Sequence, residues 1–215
     1  FMIKGNRFIG KSIGDRSAKV TFKRNNKPFL IAKSKSFTIN KERIATNNAS
    51  VTMILDTDSI YHPALQFKFN PSKRELTLYR EEKGIGASPY SNTFHQMDMF
   101  IEWAKWDIDK QHIDFLTIPG SSSGKMSLES GSYYSEKRFI SLQGLSDTHP
   151  LYILKQFILK KNDGDRNFTD FEIAGHFRKD IESIKRLMVN LASQGFVIYN
   201  IEEGLITVKD RLFDY

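Results

Sequence analysis

The sequence predicts an α+β protein in two parts. Residues 1–133 read as an all-β module, either an irregular antiparallel sandwich or a β-solenoid. Residues 134–148 read as a connecting helix and linker, and 149–215 as a compact module of three helices closed by a β-hairpin. Three observations carry this reading. Short runs of alternating apolar and polar residues recur between residues 18 and 80, with Asn, Pro and Ser at the breaks. After His149 the apolar spacing changes from two residues to three or four. The charge is also unevenly shared: residues 1–50 hold twelve Lys/Arg against Asp15 and Glu42, whereas residues 149–215 hold ten of each sign.

The first strands fall at 19–23 and 29–32, around an Asn25-Asn26 turn, then at 37–39, 44–46 and 51–55. Leu65, Phe67 and Phe69 alternate with Gln66 and Lys68, and Asn70-Pro71-Ser72 turns the chain into a partner strand at 76–79. No strict repeat length emerges, which favours an irregular sheet. Residues 81–96, with Gly84, Gly86 and Pro89, read as a loop. Met97, Met99, Ile101 and Trp103 alternate with Asp98 and Glu102, so 97–108 reads as one long strand pairing with 113–118. Residues 119–133 are rich in Gly and Ser and read as a loop or linker, and 134–145 as helix.

The last module is well punctuated. Thr148 or His149 caps a first helix with Pro150 in its opening turn, where proline costs least. Leu151, Leu154 and Ile158 form its stripe, and Lys160 and Lys161 suit its negative end. Thr169-Asp170-Phe171-Glu172 is a capping box, with Phe168 and Ile173 as its hydrophobic staple. That second helix ends near Phe177. Asp180 caps a third, with Ile181, Ile184, Leu187, Met188 and Leu191 on one face and Gly195 as its stop. Strands at 196–200 and 205–209 follow, around Glu202, Glu203 and Gly204.

Composition narrows the function classes. At 215 residues, 40% hydrophobic and 27% charged, the chain is long enough to bury a core. No apolar run approaches the roughly 20 residues that cross a bilayer. The absence of cysteine excludes disulfides, thiolate catalysis and thiolate metal sites. The chain opens Phe1-Met2-Ile3-Lys4 without a basic-then-apolar leader and stops at Tyr215 after a strand-like run, and both ends read as cuts through a longer polypeptide.

Chemical motifs are weak. The stretch 119–127 has a lysine after a glycine, as a phosphate-binding loop requires, but Gly120 and Gly124 are one residue too close and Met126 stands at the Ser/Thr position. His62, His95, His112, His149 and His176 show no metal-ligand spacing, and Asp56/Asp58 and Asp107/Asp109 suit strand-ending turns. No serine sits in a nucleophile elbow. Trp103, Trp106, Tyr133 and Tyr134 are candidates for a glycan or peptide groove, but aromatics this frequent in a β domain are usually core. The expectation is a non-enzymatic protein with no catalytic residue, cofactor or metal. A candidate basic surface is Lys19, Lys23, Arg24, Lys33 and Lys35, of which Lys19 and Lys23 flank Thr21 on a strand whose other face carries Val20 and Phe22.

Three helices followed by a hairpin, in this order and spacing, resemble the winged-helix (helix–turn–helix) superfamily, over about a third of the chain. The resemblance implies that the third helix enters a DNA major groove while the hairpin, the wing, touches the flanking backbone. The corresponding outward residues are Glu182, Arg186, Val189, Asn190 and Ser193 on the helix and Glu202 and Glu203 on the wing. Only Arg186 and Asn190 suit a DNA reader, and two glutamates would face phosphates with like charge. These residues are therefore candidate protein contacts, the partner being the rest of the same polypeptide or another subunit. The alternative is a transcriptional regulator with a β-rich sensing module. Three phrases, Asp58-Ser-Ile-Tyr-His-Pro-Ala-Leu-Gln-Phe-Lys-Phe69, Ser88-Pro-Tyr-Ser-Asn-Thr-Phe94 and Asn190-Leu-Ala-Ser-Gln-Gly-Phe-Val-Ile-Tyr199, resemble an internal segment of very large, uncharacterised exported bacterial proteins. That resemblance carries no activity or cofactor. It implies an exported or cell-envelope location, against a cytoplasmic one for the regulator.

Overall fold

A computed structural model describes residues 2–4, 7–12, 17–118, 126–143, 148–160 and 163–215, with side chains from Phe8 onward. The protein is α+β with a mostly antiparallel sheet, and it divides into two compact units, Phe1–Leu128 and Glu129–Tyr215.

In the first unit, β1 (Met2–Lys4) and β2 (Arg7–Lys11) precede a hairpin of β3 (Ala18–Arg24) and β4 (Lys27–Ser34), with Asn25 and Asn26 both at positive φ in its turn. β5 (Ser36–Ile39) follows, then two strands much longer than the rest, β6 (Ile44–Leu55) and β7 (Asp58–Asn70). After them come β8 (Glu75–Arg80), a short 3-10 turn at Gly84–Ala87, β9 (Tyr90–Asn92), β10 (Met97–Phe100), β11 (Trp103–Asp107) and β12 (Asp114–Leu116).

The sheet forks on both sides of the β6–β7 pair. β5 meets the start of β6 (Thr38↔Ala45) and β4 meets its end (Leu30↔Met53). Across β7, β9 pairs with the first part (Ile60↔Asn92) and β8 with the second (Phe67↔Leu78). At the fork Ala49 faces Leu65 and Val51 faces His62, so Pro63 and Ala64 oppose the single Ser50. Proline is tolerated in a strand at such a bulge, where the ladder is already interrupted. The buried Ser34 hydroxyl fastens the corner, bonding the Thr46 hydroxyl at 2.9 Å and the Asn48 carbonyl at 2.5 Å. Leu30, Val51, Met53 and Tyr90 from one branch and Phe37, Phe67, Leu76, Leu78 and Trp106 from the other fill one apolar cluster.

Several expectations are corrected here. The strands expected separately at 44–46 and 51–55 are one, because the Asn47-Asn48 break is a bulge rather than a turn. The stretch 81–96 is not all loop: β9 lies within it, and Tyr90 is fully buried. The single strand expected at 97–108 is two, because the chain leaves β9 for β8 at Ile101-Glu102. The expected pairing with 113–118 is present as β11–β12. Of the expected loop at 119–133, residues 119–125 lie outside the described residues, and Ser127–Ser130 form β13 at the division between the units.

The second unit runs α1 (Glu136–Gln143), α2 (Pro150–Lys160), β14 (Asn167–Thr169), α3 (Asp170–Phe177), α4 (Ile181–Ser193), β15 (Val197–Asn200), β16 (Leu205–Val208) and a 3-10 turn at Asp210–Asp214. Its helix boundaries follow their local signals. The His149 ring accepts the Leu151 N–H at the head of α2. The reciprocal capping box of Thr169 and Glu172 opens α3, and Asp180 caps α4 through the Ser183 N–H at 2.8 Å. At the end of α4, Gly195 at φ +79 donates to the Ala192 carbonyl and Phe196 to the Leu191 carbonyl, the paired bonds of a Schellman stop. β14 was not expected; it pairs with β16, which makes the closing sheet three-stranded. α1, expected only as a connection, is packed into this unit: Phe139 stacks on His149 at 3.9 Å, and Ser135 donates to the Tyr215 hydroxyl at 2.7 Å. Lys161 lies outside the described residues.

Candidate interaction surfaces

The outward face of α4 is short of free polar groups. Arg186 is exposed, but its guanidinium donates to the Ser183 hydroxyl at 3.0 Å. The Asn190 side-chain oxygen accepts from Gln194, and its carbonyl accepts the Ser193 hydroxyl at 2.8 Å. Val189 is half-buried, and Glu182, exposed in the first turn, pairs with Lys185 at 3.4 Å. The helix thus turns many of its hydrogen bonds back on itself.

The turn between β15 and β16 holds Glu202 and Glu203 exposed, their N–H groups held by the Asn200 side chain. Beside them are apolar residues that the sequence reading missed. Phe171, at the start of α3, is 75% exposed, Leu205 48% and Ile201 40%. The backbone brings these segments together: Thr169 pairs with Leu205, and the Asp170 N–H donates to the Gly204 carbonyl at 2.9 Å. The signal was present, since Leu205 alternates with the inward Ile206 and Val208, and Phe171 lies two residues from the buried Ile173. Beneath this edge the buried Asp170 accepts the Tyr199 hydroxyl at 2.8 Å. Burial, then the Asp170 bond and charge, push the Tyr199 phenol above its ordinary value.

In the first unit, the β3–β4 register sets Lys19 directly opposite Lys33, both exposed. Val20 and Phe22 turn to the other face and pack on the core. Lys23 and Lys35 are exposed as well. Arg24 is occupied elsewhere: its guanidinium donates to the Ile108 carbonyl and lies 5.0 Å from the Phe29 ring.

Buried polar groups gather under the 81–89 strap. His62 is fully buried; its Nε2 meets the Ser88 carbonyl at 2.8 Å and its Nδ1 accepts the Ala64 N–H at 3.1 Å. Arg80 also donates to the Ser88 carbonyl (2.9 Å) and to that of Ala87 (2.7 Å). Burial lowers the His62 pKa to about 3, and the nearby Arg80 charge adds to this, so the ring is neutral and pins the strap. Both of its nitrogens are committed to backbone. Trp106 is core, Trp103 stacks on Tyr79 at 5.6 Å, and Tyr133 and Tyr134 are exposed. Asp107 and Asp109 bind the Lys110 and Arg74 side chains. Among the described residues no group of three or more His, Asp or Glu could hold a metal ion. Gly120, Gly124 and Lys125 lie outside them, and a strand follows Met126. No described helix is long and apolar enough to cross a membrane. With this geometry in place, no protein-family model, curated protein or solved structure matches the chain.

Proposed function

We propose that the second unit is a winged helix that binds protein, and that the first is an irregular antiparallel sandwich rather than a solenoid. The chain acts as a non-enzymatic interaction segment. What carries this reading is the apolar edge of Phe171, Ile201 and Leu205 beside the wing glutamates. Exposed apolar side chains grouped at one edge and rimmed by charge suit a protein contact. Duplex DNA demands cations at these positions, and the wing tip offers carboxylates instead. The order of α2, β14, α3, α4, β15 and β16 and the three-stranded closing sheet support the winged-helix reading.

A photo-crosslinking residue at position 171 or 205 of the full chain is expected to give one discrete protein adduct, which Ile201→Glu removes. The full chain is expected to show no retention of duplex DNA at low salt. Duplex binding that falls steeply with salt and is abolished by Arg186→Ala would establish the regulator instead.

A further inference from the structure

The exposed side of α3 departs twice from what a helix selects for its own stability. Gly175 lies inside the helix, exposed, and a Cβ added there would meet open space. Glycine weakens a helix interior relative to alanine, and nothing among the described residues requires it at this position. Arg178 closes the helix in the left-handed region, at φ 52 and ψ 41, where glycine or asparagine is the ordinary choice. Both departures lie on one surface. Phe171, four residues before Gly175 and so on the same side of the helix, is exposed, as are Glu172, Arg178 and Lys179. The Thr169 N–H and hydroxyl donate to Glu172 and hold its pKa below the ordinary value, so this carboxylate is charged at neutral pH.

We infer that two copies of the chain pair through α3, antiparallel about a two-fold axis beside Gly175. A two-fold contact presents the same patch from both sides, so each end of α3 meets the opposite end of its counterpart. The patch is complementary to itself under that operation. Its first turn carries the Phe171 ring and the Glu172 carboxylate, and its far end carries the Arg178 and Lys179 cations. Antiparallel pairing therefore sets cations over a ring and against a carboxylate at both ends, whereas a parallel pairing would set like charge on like. The missing Cβ of Gly175 lets the two backbones approach closely where they cross. Leu205, exposed on the strand that pairs with Thr169, adds apolar surface beside the ring. A patch this small makes a weak, reversible dimer. The inference rests on the protein-binding reading of this edge and identifies the partner as the same chain.

Sedimentation velocity of the full chain over a dilution series tests it, and a monomer–dimer equilibrium is expected. Phe171→Ala and Arg178→Ala should each weaken the dimer about tenfold or more. Tyr152→Ala, which removes an exposed aromatic from α2, should leave it within about twofold. An equimolar mixture of the Phe171→Ala and Arg178→Ala chains should associate more tightly than either variant alone, because only the mixed pair restores a ring–cation contact. Gly175→Ala and Arg178→Gly should raise the urea midpoint of the second unit, by improving the helix and its cap, while weakening the dimer about threefold or more. That opposition separates a docking role from one in folding. A chain that stays monomeric at every concentration would overturn the proposal. If a crosslinker at position 171 of that monomer still captured a different protein, the protein-binding reading would stand without it. A dimer indifferent to the Phe171, Gly175 and Arg178 variants, or a mixture no tighter than its components, would overturn the proposal equally.

Discussion

Gly204 turns the chain from β15 back towards β16 at φ +67, and a Cβ there would come within 2.9 Å of the Asp170 carboxylate. Both facts demand glycine, so Gly204→Ala is expected to destabilise the second unit by about 2–3 kcal/mol in urea unfolding. Tyr199→Phe removes the donor to the same buried carboxylate and should cost about 1–3 kcal/mol. His62 sets a pH dependence. Its folded pKa of about 3 lies below the ordinary 6.5, so below pH 6.5 the unfolded chain takes up a proton that the folded one refuses. Stability therefore falls as pH drops from 6.5 towards 3, by about 2 kcal/mol on reaching pH 5. In His62→Gln, whose amide can still donate to Ser88 and accept from Ala64, this part of the slope between pH 7 and 5 should vanish. An unchanged slope would exclude His62 as its source.

The helices of the second unit show which structure a sequence declares openly. Thr169, Asp180 and Gly195 act through bonds to residues three to five positions away, so their roles could be read without knowing the fold. Thr169→Ala and Asp180→Ala should each cost about 1 kcal/mol, measured as a shift in the urea midpoint. The strands that were missed have the opposite character. Asn167–Thr169 is three residues long, and only its pairing with β16, nearly forty residues on, makes it a strand. Tyr90–Asn92 is likewise defined by β7 and β10 rather than by its own pattern. The interaction surface divides in the same way. Glu202, Glu203 and the Lys19/Lys23 face follow from local signals, but the grouping of Phe171 with Leu205 and the opposition of Lys19 to Lys33 need the register.

Within the second unit, distant parts of the chain meet at Glu129. Its carboxylate takes two bonds from Arg138, at 2.8 and 3.0 Å, and pairs with Arg211 at 3.1 Å. Arg211, 1% exposed, also donates to the carbonyls of Gln194 and Ser130. Burial opposes the charge of Arg138, but the Glu129 bond and charge prevail and hold its pKa above the ordinary value. Glu129→Gln leaves two guanidinium groups short of their counter-charge and should cost about 3–5 kcal/mol. The loss should appear as faster amide exchange across Glu129–Tyr215, with Phe1–Leu128 unaffected.

The forked sheet also dictates how the first unit comes apart. Both branches hang from β6 and β7, so separating those two strands parts the members of each branch from one another. Such wiring makes the β6–β7 pair the part whose opening disrupts both branches together. The most slowly exchanging amides should then lie on both sides of the Pro63 corner and share a single opening free energy.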